Sequence, residues 1–215
     1  MSETIPATRK RLLDAAEHLF AENGLDATSL RAITTQAGAN LAAVNYHFQS
    51  KVGLITAVFE RRIEPINRER LHLLEQGCAE AAPNPPELET VIYALVAPVL
   101  RLRLDAGGGG EHFIRLLGRM FSEPGEIKLL VGEQFRETAL RFAGALAQVL
   151  PELPADELMW RMHFLIGGMA HTAAAGDLIH HLSQGMCDPN DVELTIRRLT
   201  AFAAAGFRAD GSSPT

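Results

Sequence analysis

Apolar residues recur every three or four positions along almost the whole chain, and no segment shows the strict alternation that is typical of strands. Alanine and leucine are frequent while aromatic residues make up only 6%, a composition that favours helices. The spacing predicts helices over residues 7–23, 30–36, 41–46, 51 onwards, 87–104, 111–121, 126–149, 155–182 and 190–206. The sequence therefore predicts an all-α protein.

The short segments near the N terminus carry the capping and turn residues of a tightly connected helical unit. Thr28 or Ser29 can cap one short helix, and Asn40 can cap the next. Gly38 lies between these two helices, where its conformational freedom permits a sharp turn, and Ser50 can cap the long helix that follows. Two helices joined in this way are typical of a helix-turn-helix, although a plain helical hairpin has the same pattern.

Proline and glycine clusters indicate how the rest of the chain is organised. Residues 82–86 form a proline-rich connector, and residues 107–110 are four glycines that predict a flexible loop. Pro65 removes a backbone donor, so the long helix is expected to bend or break there. The predicted domains are a helix-turn-helix domain over 1–50, a connecting helix over 51–81, a ligand-binding and dimerisation domain over 82–208, and a disordered tail over 209–215.

The charge of the chain is unevenly distributed. The net charge is −6, which by itself argues against a nucleic-acid partner. Residues 1–62, however, carry seven Lys and Arg against six Asp and Glu, so the acidic excess lies wholly in the remainder. The near-neutral N-terminal part therefore permits DNA contact.

Several classes of protein are disfavoured by the sequence. The most apolar stretch, residues 164–179, is too short to span a membrane and contains His171 and Asp177. The N terminus lacks the sequence of charged, apolar and small residues that is typical of a signal peptide. We therefore expect a cytoplasmic protein with no membrane partner. The two cysteines, Cys78 and Cys187, are too far apart to indicate a disulfide framework.

Catalytic and metal-binding signatures are also missing from the sequence. His171, His180 and His181 share one predicted helix, but no carboxylate or cysteine accompanies them at ligand spacing. There is no nucleophile elbow, phosphate-binding loop or pair of carboxylates at useful spacing. We therefore expect no enzyme, no cofactor and no metal site.

The second helix of the predicted pair carries side chains suited to a DNA surface. Its small residues permit close approach to base edges, and Asn45 offers a paired donor and acceptor. Tyr46 and His47 can reach phosphates, and Lys51 stands at a helix start, where free backbone amides also favour an anion.

The runs at 28–33, 37–40 and 44–51 together resemble the signature of the TetR family of bacterial regulators. In that family a threonine opens the second helix, an Ala-Gly turn follows, and a Tyr-His-Phe block and a lysine close the motif. The resemblance implies phosphate contacts by Tyr46 and Lys51. The expected DNA-binding residues are then Thr28, Ser29, Arg31, Asn40, Leu41, Ala42, Asn45, Tyr46, His47 and Lys51.

Three positions depart from the family pattern. Asn40 stands where Ser or Thr is usual, Ala42 where Gly is frequent, and Val52 where Glu is common. Asn40 still caps, and the loss of a charge at a helix start costs only about 0.3–1 kcal/mol. None of the three argues against the family, and Asn40 and Ala42 bear on which operator is recognised.

The resemblance also implies a ligand pocket inside the helices after the connector. The expected ligand-binding residues are Phe113, Leu117, Met120, Phe121, Phe135, Trp160, His163 and Phe164, with Phe142 and Met169 as further apolar candidates. Each of them, taken singly, also fits a plain core position. Arg115, Arg119 or His163 would suit a charged head group.

Four segments are similar to a fatty-acid-responsive subgroup of the same family: residues 40–48, 113–118, 160–164 and 204–210. This similarity implies a fatty acid or acyl-CoA as the small apolar ligand.

The last two predicted helices are rich in small residues, which allow another helix to approach closely. In TetR proteins these helices pair two subunits, and a dimer presents two recognition helices about 34 Å apart to a palindrome. The sequence thus predicts a homodimeric repressor on a double-stranded DNA operator, released when an inducer shifts the helix at 111–121 and the hinge at Pro65. The alternative is an apolar-ligand carrier or sensor that does not bind DNA.

Overall fold

The computed structural model of the chain describes residues 5–104, 109–120 and 125–210. Within these ranges the chain forms eleven α-helices, one 3-10 turn at Arg101–Leu104 and no strand. The helices are α1 (Ile5–Asn23), α2 (Leu30–Gln36), α3 (Leu41–Phe48), α4 (Lys51–Ala81), α5 (Leu88–Leu100), α6 (Gly110–Met120), α7 (Gly125–Glu133), α8 (Arg136–Val149), α9 (Ala155–Ala174), α10 (Gly176–Leu182) and α11 (Val192–Arg208). The prediction of an all-α protein is confirmed.

The breaks between helices differ from those expected from the sequence. Pro65 and Pro98 lie inside α4 and α5, which continue through them. The predicted helices at 126–149 and 155–182 are instead each interrupted, giving α7 with α8 and α9 with α10. At the second break Gly176 is buried, and a Cβ there would lie 2.9 Å from Cβ of Pro189, so close packing favours glycine. Residues 107–108 of the predicted glycine loop and 211–215 of the predicted tail lie outside the described residues.

The helices divide into two compact units, one comprising residues 1–65 and 107–134, the other residues 66–106 and 135–215. The division falls within α4 and groups α6 and α7 with the N-terminal helices. The domain boundaries expected from the sequence, at residues 50 and 81, stay a prediction.

In the first unit, α1 packs against α2, α3 and α6. Its buried face includes Leu12, Ala16 and Phe20, which follow the helical spacing of the sequence. The rings of Phe59 on α4 and Phe113 on α6 meet edge to face, with centroids 6.1 Å apart. The packing against α1 supports the short helices α2 and α3, which are too short to be stable alone.

A buried ion-pair cluster joins α1 to α4 within this unit. Glu17 is buried, and Nε of Arg62 donates to its two carboxylate oxygens at 2.9 and 3.1 Å. Arg61 also pairs with Glu17, and its Nη1 donates to Asp14 Oδ1 at 2.5 Å. The Glu17 carboxylate is therefore the charge that compensates two partly buried guanidinium groups.

Replacing Glu17 with glutamine should lower the free energy of unfolding by about 2 kcal/mol, because it keeps the shape but removes the carboxylate that pairs with Arg62 and leaves Arg61 with only the more exposed Asp14. Thermal or urea unfolding measures this loss. The matched control is Glu111→Gln, which removes an exposed pair with Arg115 on α6 and should change stability by under about 0.5 kcal/mol. Equal effects of the two substitutions would contradict a structural role for the buried cluster.

In the second unit, α5 is the central helix and contacts α8, α9 and α11. Residues 94–100 are all buried, as expected for a helix that is apolar on every side. At its N-terminal end, Arg208 of α11 donates from Nη2 to Glu89 at 2.8 Å, and this hydrogen bond lowers the pKa of the Glu89 carboxyl.

Candidate DNA-binding surface and ligand-binding residues

Both short helices of the predicted helix-turn-helix begin with a side-chain cap. The hydroxyl of Ser29 accepts from the backbone N–H of Ala32 at 3.1 Å. Oδ1 of Asn40 accepts from the N–H of Ala43 at 2.9 Å. The predicted caps are confirmed, and of the two alternatives at the start of α2 the structure uses Ser29.

The turn between α2 and α3 is held from α1. Gly38 has φ +59, a conformation that favours glycine and that confirms the predicted sharp turn. Nε of Arg11 donates to the carbonyl of Ala37, directly before it, at 2.9 Å. The guanidinium of Arg9 lies over the ring of Phe48 at 5.5 Å. Both arginines therefore help to fix the position of α3.

The junction between α3 and α4 is tight. Ser50 caps α4 by accepting from the N–H of Gly53 at 3.0 Å, as predicted. A Cβ at Gly53 would lie 2.0 Å from the carbonyl oxygen of Phe48, so only glycine fits there. Gly53 was not predicted as a site residue; the signal in the sequence was a poor helix former in the first turn of a long helix.

One side of α3 faces the core and the other faces solvent. Val44 and Phe48 are buried, whereas Ala42, Asn45 and Tyr46 are exposed, Tyr46 at 72%. Leu41, at the N-terminal end, is also exposed, and His47 is half-buried with its ring 5.0 Å from that of Tyr46.

The remaining predicted DNA-binding residues differ in exposure. Ser29 and Arg31 are exposed, and Lys51 is half-buried, with Nζ donating to the carbonyl of Asp26 at 3.0 Å. Thr28 is only 3% exposed, and its hydroxyl donates to the carbonyl of Gly24 at 2.7 Å. The Thr28 side chain is therefore engaged inside the unit rather than presented at the surface.

The predicted ligand-binding residues belong to both units of the chain. Phe113 and Leu117 are buried in the first unit, whereas Phe135 is half-buried at the start of α8 in the second. The side chain of Met120 and the whole of Phe121 lie outside the described part of the chain.

Three further members of that set, Trp160, His163 and Phe164, lie on the solvent side of α9. Trp160 is 58% and Phe164 65% exposed, and their rings stack with centroids 5.8 Å apart. The residues that α9 buries are instead Leu158, Arg161, Met162, Leu165, Met169, Ala170 and Ala173. In the single chain these residues are therefore not core positions, and their role in ligand binding stays a prediction.

A cavity of about 420 Å³ lies in the second unit. Its lining is mostly apolar, with two arginines, a histidine and an aspartate, and includes Arg103, His171, Leu178, Asp188, Arg198 and Phe202. It contains none of the predicted ligand-binding residues whose side chains the structure describes.

The sequence analysis also missed Arg70, a buried arginine on α4. The neighbouring buried positions on the same side of the helix are Ile63, Ile66 and Leu74. An arginine within an apolar stripe of helical spacing was the signal available in the sequence.

Metal-binding groups of three or more His, Cys, Asp or Glu side chains do not occur among residues 5–104, 109–120 and 125–210. In the same ranges no helix has the length and apolar character needed to cross a membrane. Cys78 and Cys187 are both free and half-buried.

Two family profiles match the chain. Residues 12–58 match the profile described as bacterial regulatory proteins, tetR family. Residues 93–206, more than half of the chain, match the profile described as tetracyclin repressor-like, C-terminal domain.

Among curated proteins, the chain is 31% identical over 96 residues to the HTH-type transcriptional regulator AcrR of Shigella flexneri, covering 45% of this chain and 44% of that protein. It is 36% identical over 59 residues to the regulator SrpR of Pseudomonas putida, covering 27% and 28%. The chain thus spans less than half the length of these relatives.

Solved structures show the same fold. The fatty acid degradation regulator FadR of Bacillus halodurans has a TM-score of 0.66 at 13% identity, over 94% of this chain and 97% of that one. FadR of Bacillus subtilis in complex with stearoyl-CoA has a TM-score of 0.63 at 14% identity, over 92% and 98%. With both family profiles matched and the fold shared, this chain belongs to the TetR family of bacterial transcriptional regulators.

Proposed function

We propose that the protein is a homodimeric transcriptional repressor that binds a palindromic DNA operator in the cytoplasm and releases it when an apolar small molecule binds. The observation that carries this proposal is the solvent-facing side of α3, a capped helix fixed by α1 and α4. That side is not used for packing within its unit. A helix presented in this way, after a tight turn, has the geometry of a recognition helix.

The proposed DNA contacts follow from exposure. Asn45 and the small residues of α3 would face base edges, whereas Tyr46, Lys51 and Arg31 would contact phosphates. Ser29, Asn40, Leu41, Ala42 and His47 complete the proposed surface. Thr28 is omitted because its side chain is buried.

The proposed subunit interface lies on α9 and α11, which contact each other in the second unit. Trp160 and Phe164 on α9 and Phe202 on α11 are large, exposed and apolar, Phe202 at 79%. Monomeric proteins rarely expose such a group of aromatic residues, which are typical of subunit interfaces. We assign this face to a second copy of the chain, because a palindrome requires two recognition helices related by two-fold symmetry. The cavity at Leu178, Leu182 and Phe202 adjoins these helices.

The proposed inducer is a fatty acid or acyl-CoA. Its support is the resemblance of four segments to fatty-acid-responsive regulators, together with the structural likeness to two FadR proteins, one of them in complex with stearoyl-CoA. The alternative, a ligand carrier without DNA binding, leaves the exposed side of α3 without a role.

The test of DNA binding is selection of a palindromic site from random DNA, followed by titration of variants at several salt concentrations. Lys51→Ala should raise Kd roughly tenfold and reduce the salt slope by about one. Tyr46→Ala should also raise Kd roughly tenfold. The control is Arg115→Ala on α6, an exposed arginine of the same unit that should leave Kd unchanged within about twofold. If no palindrome is selected, or if all three variants behave alike, the repressor proposal fails.

Ligand release is tested separately on the selected DNA. Palmitate or palmitoyl-CoA should dissociate the complex at a fixed salt concentration, since an inducer must bind the DNA-free state more tightly than the bound one. If acyl compounds leave specific DNA binding unchanged, the repressor proposal is retained and the assignment of a fatty-acid inducer fails.

A further inference from the structure

The second unit holds a charged side chain in its core. Arg70 lies on α4, and only 4% of its surface is exposed. Burial lowers the pKa of its guanidinium to about 10, so the group still carries a positive charge at neutral pH. A charge removed from water is costly unless an opposite charge or several strong hydrogen bonds compensate it.

The acceptors around Arg70 are uncharged, and two of the three are weak. Nε donates to the carbonyl of Leu95 at 2.8 Å. Nη1 donates to Oδ1 of Asn67 at 3.4 Å, which is long for this kind of bond, and Nη2 to the sulfur of Met169 at 3.5 Å, a poor acceptor. Among the residues that the structure describes, no carboxylate pairs with Arg70, and burial is the cause of its lowered pKa.

Arg161, in the same unit, shows the contrast. It is also buried, but its Nε donates to the carboxylate of Glu157 at 2.8 Å. Its Nη1 donates to the carbonyls of Phe207 at 2.8 Å and Ala209 at 2.9 Å. Arg161 therefore has the compensation that a structural buried arginine needs, whereas the two terminal nitrogens of Arg70 have only long or weak contacts.

We infer that Arg70 binds a carboxylate group of the inducer, so that the ligand is an apolar molecule with an anionic head. This inference rests on the ligand-sensing part of the proposed function. The two terminal nitrogens of an arginine form a planar fork that matches the two oxygens of a carboxylate. The sulfur of Met169 occupies one of these positions, and the unbranched, flexible side chain of Met169 can move aside.

The position of Arg70 also connects the head group to the regulatory parts of the protein. Met169, which the carboxylate would displace, belongs to α9, the helix that carries Trp160 and Phe164. Arg70 itself belongs to α4, the helix that begins with Lys51. Binding at this arginine therefore acts directly on one helix of the proposed subunit interface and on the helix that carries a proposed phosphate contact.

The test measures binding of octanoate, dodecanoate and hexadecanoate to the full-length protein. Each carboxylate is compared with the alcohol of the same chain length, at concentrations below that of micelle formation. Thermal shift and calorimetry provide the readouts. The wild-type protein should bind at least one carboxylate about tenfold more tightly than its alcohol, with a rise in Tm of roughly 5 °C at a hundredfold excess over Kd. Arg70→Met should weaken carboxylate binding about 10- to 100-fold and leave alcohol binding unchanged within about twofold.

Two further variants separate this role from a structural one. Arg70→Lys keeps the charge but loses the planar fork, so it should retain a reduced preference for carboxylates. Arg70→Met replaces a buried charge with an apolar side chain, so the Tm of this variant without added ligand should not fall below that of the wild type. Arg141→Met removes an exposed arginine of the same unit and should retain the full preference. A wild type without carboxylate preference, or an Arg70→Met variant that keeps it, overturns the inference. Binding of the protein to the selected palindrome, measured in parallel, tests the repressor proposal independently of this result.

Discussion

Replacing Phe164 with aspartate is expected to convert the proposed dimer to monomers and to weaken operator binding by more than about a hundredfold. Aromatic residues at the centre of an interface each contribute about 2 kcal/mol or more. In a two-fold symmetric interface the substitution occurs twice, and it also places two carboxylates in an apolar surface. A monomer can occupy only one half-site, so the gain from binding both half-sites together is lost.

Sedimentation of the variant measures its mass, and titration of the palindrome measures its affinity. Because Phe164 is mostly exposed in the single chain, the helical circular dichroism of the monomer should match that of the wild type. Leu140→Asp, at an exposed leucine on α8, is the matched control and should remain dimeric. A dimeric Phe164→Asp variant would place the subunit interface elsewhere.

Replacing Gly53 with alanine is the second substitution with a large expected effect. The added Cβ would lie 2.0 Å from the carbonyl oxygen of Phe48, so α3 or α4 must move. Overpacking of this kind costs about 1–3 kcal/mol, which for a chain of this length corresponds to a fall in Tm of roughly 2–12 °C. Because the displaced segment includes the proposed recognition helix, we expect operator affinity to fall about tenfold or more at temperatures where the variant remains folded.

Gly132→Ala on α7 is the control for the glycine substitution itself. Gly132 lies in the same unit, and a Cβ there would meet nothing within 4 Å. Alanine should therefore stabilise the protein by about 0.5–1 kcal/mol and leave DNA binding unchanged. If Gly53→Ala behaves like this control, the tight junction between α3 and α4 is not needed for DNA binding.

Local chemistry made the N-terminal helices predictable from sequence. Caps and turns are formed by residues a few positions apart, so Asn40, Ser50 and Gly38 could be assigned without any long-range information. The break between α7 and α8 was not predicted: Gly132 lies in the last turn of α7, but a single glycine within a helical pattern does not by itself mark a helix end.

The packing partners of α9 were not predictable in the same way. The helix has apolar residues on more than one side, so periodicity alone cannot distinguish the side facing its own core from the side facing solvent. Met162 and Leu165 are buried, whereas Trp160 and Phe164 are not. Arg70 was missed for a related reason, since charged residues are assumed to face water and only the packing of α5 and α9 shows that this one does not.

Trp160 is the single tryptophan of the chain, and it stands on the face that we assign to the subunit interface. Indole emission moves to shorter wavelength when the ring leaves water. The intrinsic fluorescence of the unlabelled protein therefore reports on one ring at one surface, with no background from other tryptophans. A dilution series that shifts this emission to longer wavelength would give the dissociation constant of the dimer directly, and repeating it with added alkanoate would show whether ligand and subunit association are linked.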